Sequence, residues 1–251
     1  MVSAKCQNGL LQFEMPPGDT RPAMMSAIRG SVDFPQPPPH ARAALDRLVA
    51  ADPDLGGIEP AAGPLPWRSR RAGFEGLLQA IVGQQISNQA AAAIWSRLRA
   101  VPGAVAPEGL LALDDETLRG AGLSRPKVAH ARSLAAAFAD GRLEATAIAE
   151  MADEDAIAAI AAVRGMGRWS AEVYLLFALQ REDVFPAGDL ALAGAAAALK
   201  GLPVRPGPVP LRALAAQWQP WRGLAARLLW HHWRFLTGRP AFDDIPPAAG
   251  A

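Results

Sequence analysis

Gly165-Met166-Gly167 and Asp189 are the residues whose types and spacing could do chemistry in this chain. Glycine at two of three positions permits positive φ and removes the side chains that would hold another backbone away. The amides freed there, beside the start of a following helix, suit a phosphate, and Arg164 and Arg168 add local positive charge. Asp189 follows a loop carrying Pro186 and Gly188 and opens an Ala-rich run. A carboxylate held there could stabilise a developing positive charge or orient a water. Each feature alone has a plainer reading, an αα-hairpin whose glycines serve geometry and an aspartate that only caps its helix.

Such groups must be positioned by helices, because everything periodic in the sequence is helical. Half of the residues are hydrophobic, with alanine abundant and β-branched and aromatic residues sparse, which favours helix over sheet. Residues 1–38 are mixed and proline-rich, ending in Pro35-Gln36-Pro37-Pro38-Pro39, and read as a flexible leader. Residues 39–240 read as one helical domain and 241–251 as a disordered tail. The pattern predicts a helix from about His40 to Ala51, then a stripe of Phe74, Leu77, Leu78, Ile81 and Val82 at the helical period. Gly83-Gln84-Gln85-Ile86-Ser87 interrupts that stripe, and Asn88 is expected to cap the next helix. Asp114 or Asp115 and Ser124 are expected to cap two more; the hairpin's arms are expected to begin at Asp153 and Ser170. Further helices are expected over 189–199, 211–218 and about 220–237. No sustained alternation of apolar and polar residues points to a strand, so the fold class is all-α.

Composition excludes several functions. Cys6 is the only cysteine, so no intrachain disulfide and no cysteine-ligated iron–sulfur cluster can form. His40, His130, His231 and His232 lack the spacing of a zinc site. No apolar run approaches the ~20 residues needed to span a bilayer, and no signal peptide is evident, so a cytoplasmic location is expected. A formal charge of +1 gives no general pull toward nucleic acid, and any such binding must come from local arrangement.

The runs FEGLLQAIVGQQIS, LRGAGLSRPKV, VRGMGRWSAEV, DVFPAGDLAL and WQPWRGLAARLLW follow one another within about residues 40–238. Together and in this order they resemble the helix-hairpin-helix, Gly/Pro-rich loop and Asp superfamily of DNA glycosylases, nearest to its 3-methyladenine DNA glycosylase II group. The resemblance implies two helical subdomains with a cleft between them and a hairpin over about 153–181. It implies a monofunctional enzyme of base excision repair that flips an alkylated purine out of duplex DNA and hydrolyses its N-glycosidic bond. Asp189 stands at the family's catalytic carboxylate, and Trp169 and Trp230 match pocket aromatics whose π faces attract a cationic base. Gly165, Met166, Gly167, Arg168 and Ser170 of the hairpin, with Gln84 and Gln85 of the polar break, are implied DNA contacts, Gln85 being the candidate wedge. Members that also nick the strand carry a lysine where this chain has Trp169, so no lyase chemistry is expected. In the family, main-chain carbonyls at Ala161, Val163 and Met166 hold a sodium or potassium ion; no other cofactor is implied. The expected partner is damaged double-stranded DNA, bound by a monomer associated with the nucleoid.

Plainer readings stand beside these. From periodicity alone Trp230 on its apolar helix reads first as core packing, Gln84 and Gln85 as loop or capping residues, and Arg68, Arg70, Arg71, Arg125 and Lys127 as solvated surface. His231-His232 has no assigned role. Val173 replaces an aromatic often found in the pocket, and the leader leaves no room for the β-rich N-terminal domain of some members. A same-fold enzyme for another damaged or deaminated base, a non-catalytic hairpin module that only binds DNA, and a helical scaffold without DNA remain as competing readings.

Overall fold

The structure is a computed structural model that describes residues 5–7, 10–12 and 35–238. The expected disordered tail and most of the expected leader lie outside the described residues. Within the leader, two strands, β1 (Lys5–Gln7) and β2 (Leu10–Gln12), pair antiparallel with Cys6 opposite Leu11. Three residues are too few for period-two alternation to register, although Asn8-Gly9 between them is a strong hairpin signal in sequence. From residue 39 onward the described chain is helical.

The first helices are α1 (Pro39–Ala51), α2 (Pro53–Gly56) and α3 (Ile58–Ala62). Then come α4 (Gly73–Gly83), α5 (Asn88–Ala100), α6 (Pro107–Ala112), α7 (Asp115–Gly120), α8 (Arg125–Ala139) and α9 (Ala145–Glu150). The hairpin arms are α10 (Asp153–Ala161) and α11 (Arg168–Phe177), followed by α12 (Leu190–Leu199), α13 (Pro208–Ala215) with a 3₁₀ turn at Ala216–Trp218, and α14 (Arg222–Leu236). Side chains of Asp114, Ser124 and Asp189 accept first-turn amides as expected. Two caps differ from expectation. Ser87, one residue before Asn88, accepts the amide of Ala90, because its extended backbone precedes the first helical residue. Gly167, not Ser170, sits at the cap of α11; Ser170 is already inside the first turn and buried.

Two hydrophobic clusters form the interior. One is drawn from a continuous stretch, Phe74 to Val184, and holds the α4 stripe together with Ile157, Ile160, Val173 and Leu176. The other joins the two sides of that stretch, packing Leu45, Leu48 and Ile58 against Phe185, Leu192, Leu224 and Leu228. Trp230 packs against both. The hairpin thus belongs to one cluster, and the loop and helix that present Asp189 to the other.

Candidate active site

Three acids, Asp153, Glu154 and Asp155, fill the first turn of α10, where negative charge suits the helix dipole. After α10 the chain reverses through Met166, whose amide donates to the Val163 carbonyl at 3.0 Å. The two glycines serve different ends. Gly165 has φ +89°, and a Cβ there would collide with the His130 ring, so the fold requires it. Gly167 has an ordinary φ of −108°, and a Cβ built on it would meet nothing within 4 Å. Gly167 is exposed and leaves bare backbone at the start of α11.

The other hairpin candidates divide by exposure. Met166 and Ser170 are buried, which leaves their backbone and not their side chains for any DNA contact. Arg168 is exposed, yet its guanidinium grips both oxygens of Glu154 at 2.7 and 2.9 Å and donates from Nε to Glu172 at 2.8 Å. It therefore staples α11 to α10, and its charge is committed inside the hairpin. Glu172 is 3% exposed. Burial pushes its carboxyl up from the ordinary range, against the opposing pull of Arg168.

The polar break meets the hairpin directly. Gln84 donates from Nε2 to the Gly165 carbonyl at 2.8 Å, so its side chain braces the turn. Gln85 is exposed and holds φ +56°, a left-handed conformation uncommon for a residue with a Cβ. Only the second of the pair is free to project outward. Lys127 donates to the Val82 carbonyl at 2.7 Å and closes the end of α4.

Asp189 ends a turn in which its amide donates to the Pro186 carbonyl at 2.9 Å. Its Oδ1 accepts the amides of Ala191 and Leu192 at 2.8 and 2.9 Å, while Oδ2 accepts the indole Nε1 of Trp169 at 2.8 Å. The capping and catalytic readings are therefore compatible, since capping holds the carboxylate where the hairpin's first turn can reach it. Trp169 is 48% exposed, unusual for so large an apolar ring.

Beside Trp169 opens a cavity of about 180 Å³ lined by Trp169, Val173, Phe177 and Trp230 among others. Trp230 packs its ring 5.5 Å from that of Phe177. Arginines complete the wall: Arg68, Arg70, Arg227 and Arg234 line the cavity, and among its described lining residues none is acidic. Arg227 is 6% exposed and lies between two rings, 4.2 Å from the Trp67 centroid and 4.5 Å from that of Phe177. Its hydrogen bonds reach the carbonyls of Arg68 and Leu176 and the side-chain oxygen of Gln180, all uncharged acceptors. Burial, with Arg68 nearby, pushes its guanidinium down to about 9. His231, on the same face of α14, meets the Gly63 carbonyl at 2.9 Å, and burial lowers its proton affinity.

Neither Phe177 nor Arg227 stood out in the sequence as a site residue. The signal was present for Arg227: a cation in the apolar stripe of Leu224, Leu228 and Leu229 must either find partners or line a cavity. Of the basic cluster Arg68-Arg70-Arg71, the first two line the cavity and Arg71 pairs with Glu75 at 3.2 Å. At the hairpin, described backbone hydrogen bonds outside the helices reach the Val163 carbonyl but not those of Ala161 or Met166. Neutral backbone carbonyls are the donor type that a singly charged alkali ion takes, with no anionic ligand required.

Residues 78–220 match the family model described as HhH-GPD superfamily base excision DNA repair protein. The chain is 32% identical over 161 residues to DNA-3-methyladenine glycosylase 1 of Schizosaccharomyces pombe, covering 62% of this chain and 71% of that protein. The solved structure of the 3-methyladenine DNA glycosylase of that yeast, in complex with abasic DNA, matches with a TM-score of 0.68 at 27% identity, covering 80% of this chain and 98% of the other. The DNA-3-methyladenine glycosidase of Bacillus halodurans matches with a TM-score of 0.70 at 29% identity, covering 80% of this chain and 93% of the other. With the hairpin, the Gly/Pro loop and its aspartate in their places, the chain belongs to the HhH-GPD superfamily of base excision DNA repair proteins.

Proposed function

We propose that this protein is a monofunctional DNA glycosylase that binds damaged duplex DNA and hydrolyses the N-glycosidic bond of alkylated purines of the 3-methyladenine type. The observation that carries this reading is the 2.8 Å bond to Asp189 from Trp169, a hairpin residue whose ring lines the aromatic cavity. Its named relatives are 3-methyladenine glycosylases, one of them in complex with abasic DNA.

In this reading the backbone at Gly165 and Gly167 holds a phosphate, an alkali ion on the carbonyls of Ala161, Val163 and Met166 supplying further positive charge when bound. Gln85 fills the gap left by the flipped nucleotide, and Trp169 and Trp230 flank the base. As the bond from C1′ to the base breaks, positive charge develops on the sugar, and the Asp189 carboxylate stabilises it and orients the incoming water. Trp169 stands where a Schiff-base lysine would be needed, and its indole cannot act as an amine nucleophile. The chemistry therefore stops at base release. The protein acts as a monomer in the cytoplasm, at the nucleoid.

The test is incubation with methylated duplex DNA and chromatography of the released bases. Asp189→Asn should retain binding to abasic DNA and lose base release by at least about 100-fold. Undiminished release by that variant overturns the mechanism, and a covalent adduct trapped by borohydride overturns the monofunctional assignment.

A further inference from the structure

We infer that His231 determines which alkylated purine the cavity prefers, its ring nitrogen Nδ1 accepting a hydrogen bond from an amino group at purine position 6. The inference rests on the glycosylase reading and concerns the edge of the base taken at the same site. Arg227, Trp230, His231 and Arg234 line the cavity at positions i, i+3, i+4 and i+7, one face of α14. On that face His231 has a lone pair to offer, whereas the two arginines can only donate. Its Nε2 lies 2.9 Å from the Gly63 carbonyl oxygen. A carbonyl oxygen only accepts, so Nε2 carries the proton, and Nδ1 of the neutral ring keeps a lone pair. That carbonyl sits in a pinned loop. The Gly63 amide donates to the Glu59 carbonyl at 2.9 Å, and the Glu59 carboxylate accepts the Leu65 amide at 2.8 Å and both terminal nitrogens of Arg42. The loop thus fixes the tautomer as well as the orientation of the ring.

Nδ1 is open to a ligand. His231 is 6% exposed and lines the cavity, and no hydrogen bond among the described residues reaches its Nδ1. The Nδ1 atoms of His130 and His232 are sealed in the interior without a partner, whereas that of His231 is not sealed. Burial lowers the ring's proton affinity, with Arg68 and Arg234 acting in the same sense and the Gly63 carbonyl and Glu59 opposing, so the ring is neutral at pH 7 and the lone pair is available. An adenine alkylated at N3 spreads its positive charge over the ring and its 6-amino group, which strengthens that group as a donor. At the same position guanine and hypoxanthine carry an oxygen, whose lone pairs would face that of Nδ1 and leave it unpaired. Trp169 and Trp230 favour a cationic base through its faces. His231 separates adenine-derived from 6-oxo purines through an edge.

Duplex DNA treated with dimethyl sulfate carries 3-methyladenine, with a 6-amino group, and 7-methylguanine, with a 6-oxygen, both as cations, so overall charge does not distinguish them. Single-turnover release of the two bases by the full chain is followed by chromatography. His231→Phe keeps a ring and removes the acceptor, and should lower the ratio of 3-methyladenine to 7-methylguanine release by about tenfold. Loss of packing or of the Gly63 contact alone would slow both bases together and leave the ratio as it was. A second measurement needs no variant. Free 3-methyladenine should inhibit wild type at about tenfold lower concentration than free 3-methylhypoxanthine, which has an oxygen in place of the amino group. An unchanged ratio in a folded His231→Phe, or equal inhibition by the two free bases, overturns the inference. If His231→Phe does not fold, the inhibition decides alone. Failure of wild type to release either base would instead remove the glycosylase reading, and this inference with it.

Discussion

The indole Nε1 of Trp169 donates to Oδ2 of Asp189 at 2.8 Å, joining a helix of one hydrophobic cluster to the cap of a helix in the other. The other carboxylate oxygen is taken by two backbone amides. Three N–H donors thus determine where the carboxylate points. Trp169→Phe keeps an aromatic ring but removes the donor along with part of the ring surface. A hydrogen bond to a charged group contributes about 1.5–3 kcal/mol, so base release should slow by about 10- to 100-fold while affinity for abasic DNA stays within about threefold. Single-turnover rates alongside binding isotherms check this, and an unaltered rate would mean that the amides alone orient the acid.

The two hairpin glycines separate fold from function. Gly165→Ala forces a side chain to φ +89° and into the His130 ring, and should destabilise the protein by about 1–3 kcal/mol or more. Gly167→Ala has room and an ordinary φ, so the melting temperature should hold. If DNA approaches this bare backbone, Gly167→Ala nevertheless weakens duplex binding by about tenfold, because a methyl group holds the phosphate away. Melting curves and binding measured on both variants distinguish the two effects.

At the polar break, Gln85→Gly should relieve the left-handed strain and stabilise the fold by about 0.5–1 kcal/mol. The same change removes the wedge, so excision from fully paired duplex should fall more than excision from a mismatched or single-stranded site, where less unstacking is needed. Gln84→Ala should behave differently, loosening the hairpin that it braces and lowering affinity for either substrate alike.

Outside the cavity's lining, Lys200 bonds both oxygens of Asp52 at 2.7 Å, and the Trp218 indole donates to the same carboxylate. Burial alone would raise the Asp52 carboxyl; the bonds from Lys200 and Trp218 together outweigh it, and the net position is below the ordinary value. A carboxyl depressed on folding contributes stability that is full above its unfolded value of about 4 and is lost as pH falls through the folded value. Lys200→Met should therefore cost about 3 kcal/mol at pH 7, near the low end for a buried pair because Lys200 is partly exposed. That difference should shrink as pH drops below about 4, which urea unfolding at several pH values can follow.

Much of the fold was legible because its signals are local. The α4 stripe from Phe74 to Val82 is buried as the spacing predicts, and Asp114, Ser124 and Asp189 cap their helices as their positions before apolar runs suggest. What the sequence does not show is which side chains pair between segments apart in the chain. The bidentate pairing of Arg168 with Glu154 lies across the hairpin. Gln85 is the wedge candidate in sequence, but that Gln84 is held by the Gly165 carbonyl shows only in the fold. Arg227 seemed one more charge on a helix, and only the juxtaposition of Trp67, Phe177 and Gln180 reveals a cation inside the pocket wall.

The second hydrophobic cluster is built from chain on both sides of the first, with Leu45 and Leu48 packed beside Leu224 and Leu228. A ribosome therefore finishes the hairpin's cluster, Phe74 to Val184, before it has made the helix that carries Arg227 and Trp230. During synthesis the surface suited to gripping a phosphate is complete while the wall that would enclose a base is still missing. Hydrolytic competence must then wait for α14 to close a gap between segments nearly two hundred residues apart, so shortening α14 should abolish chemistry before it abolishes attachment to DNA.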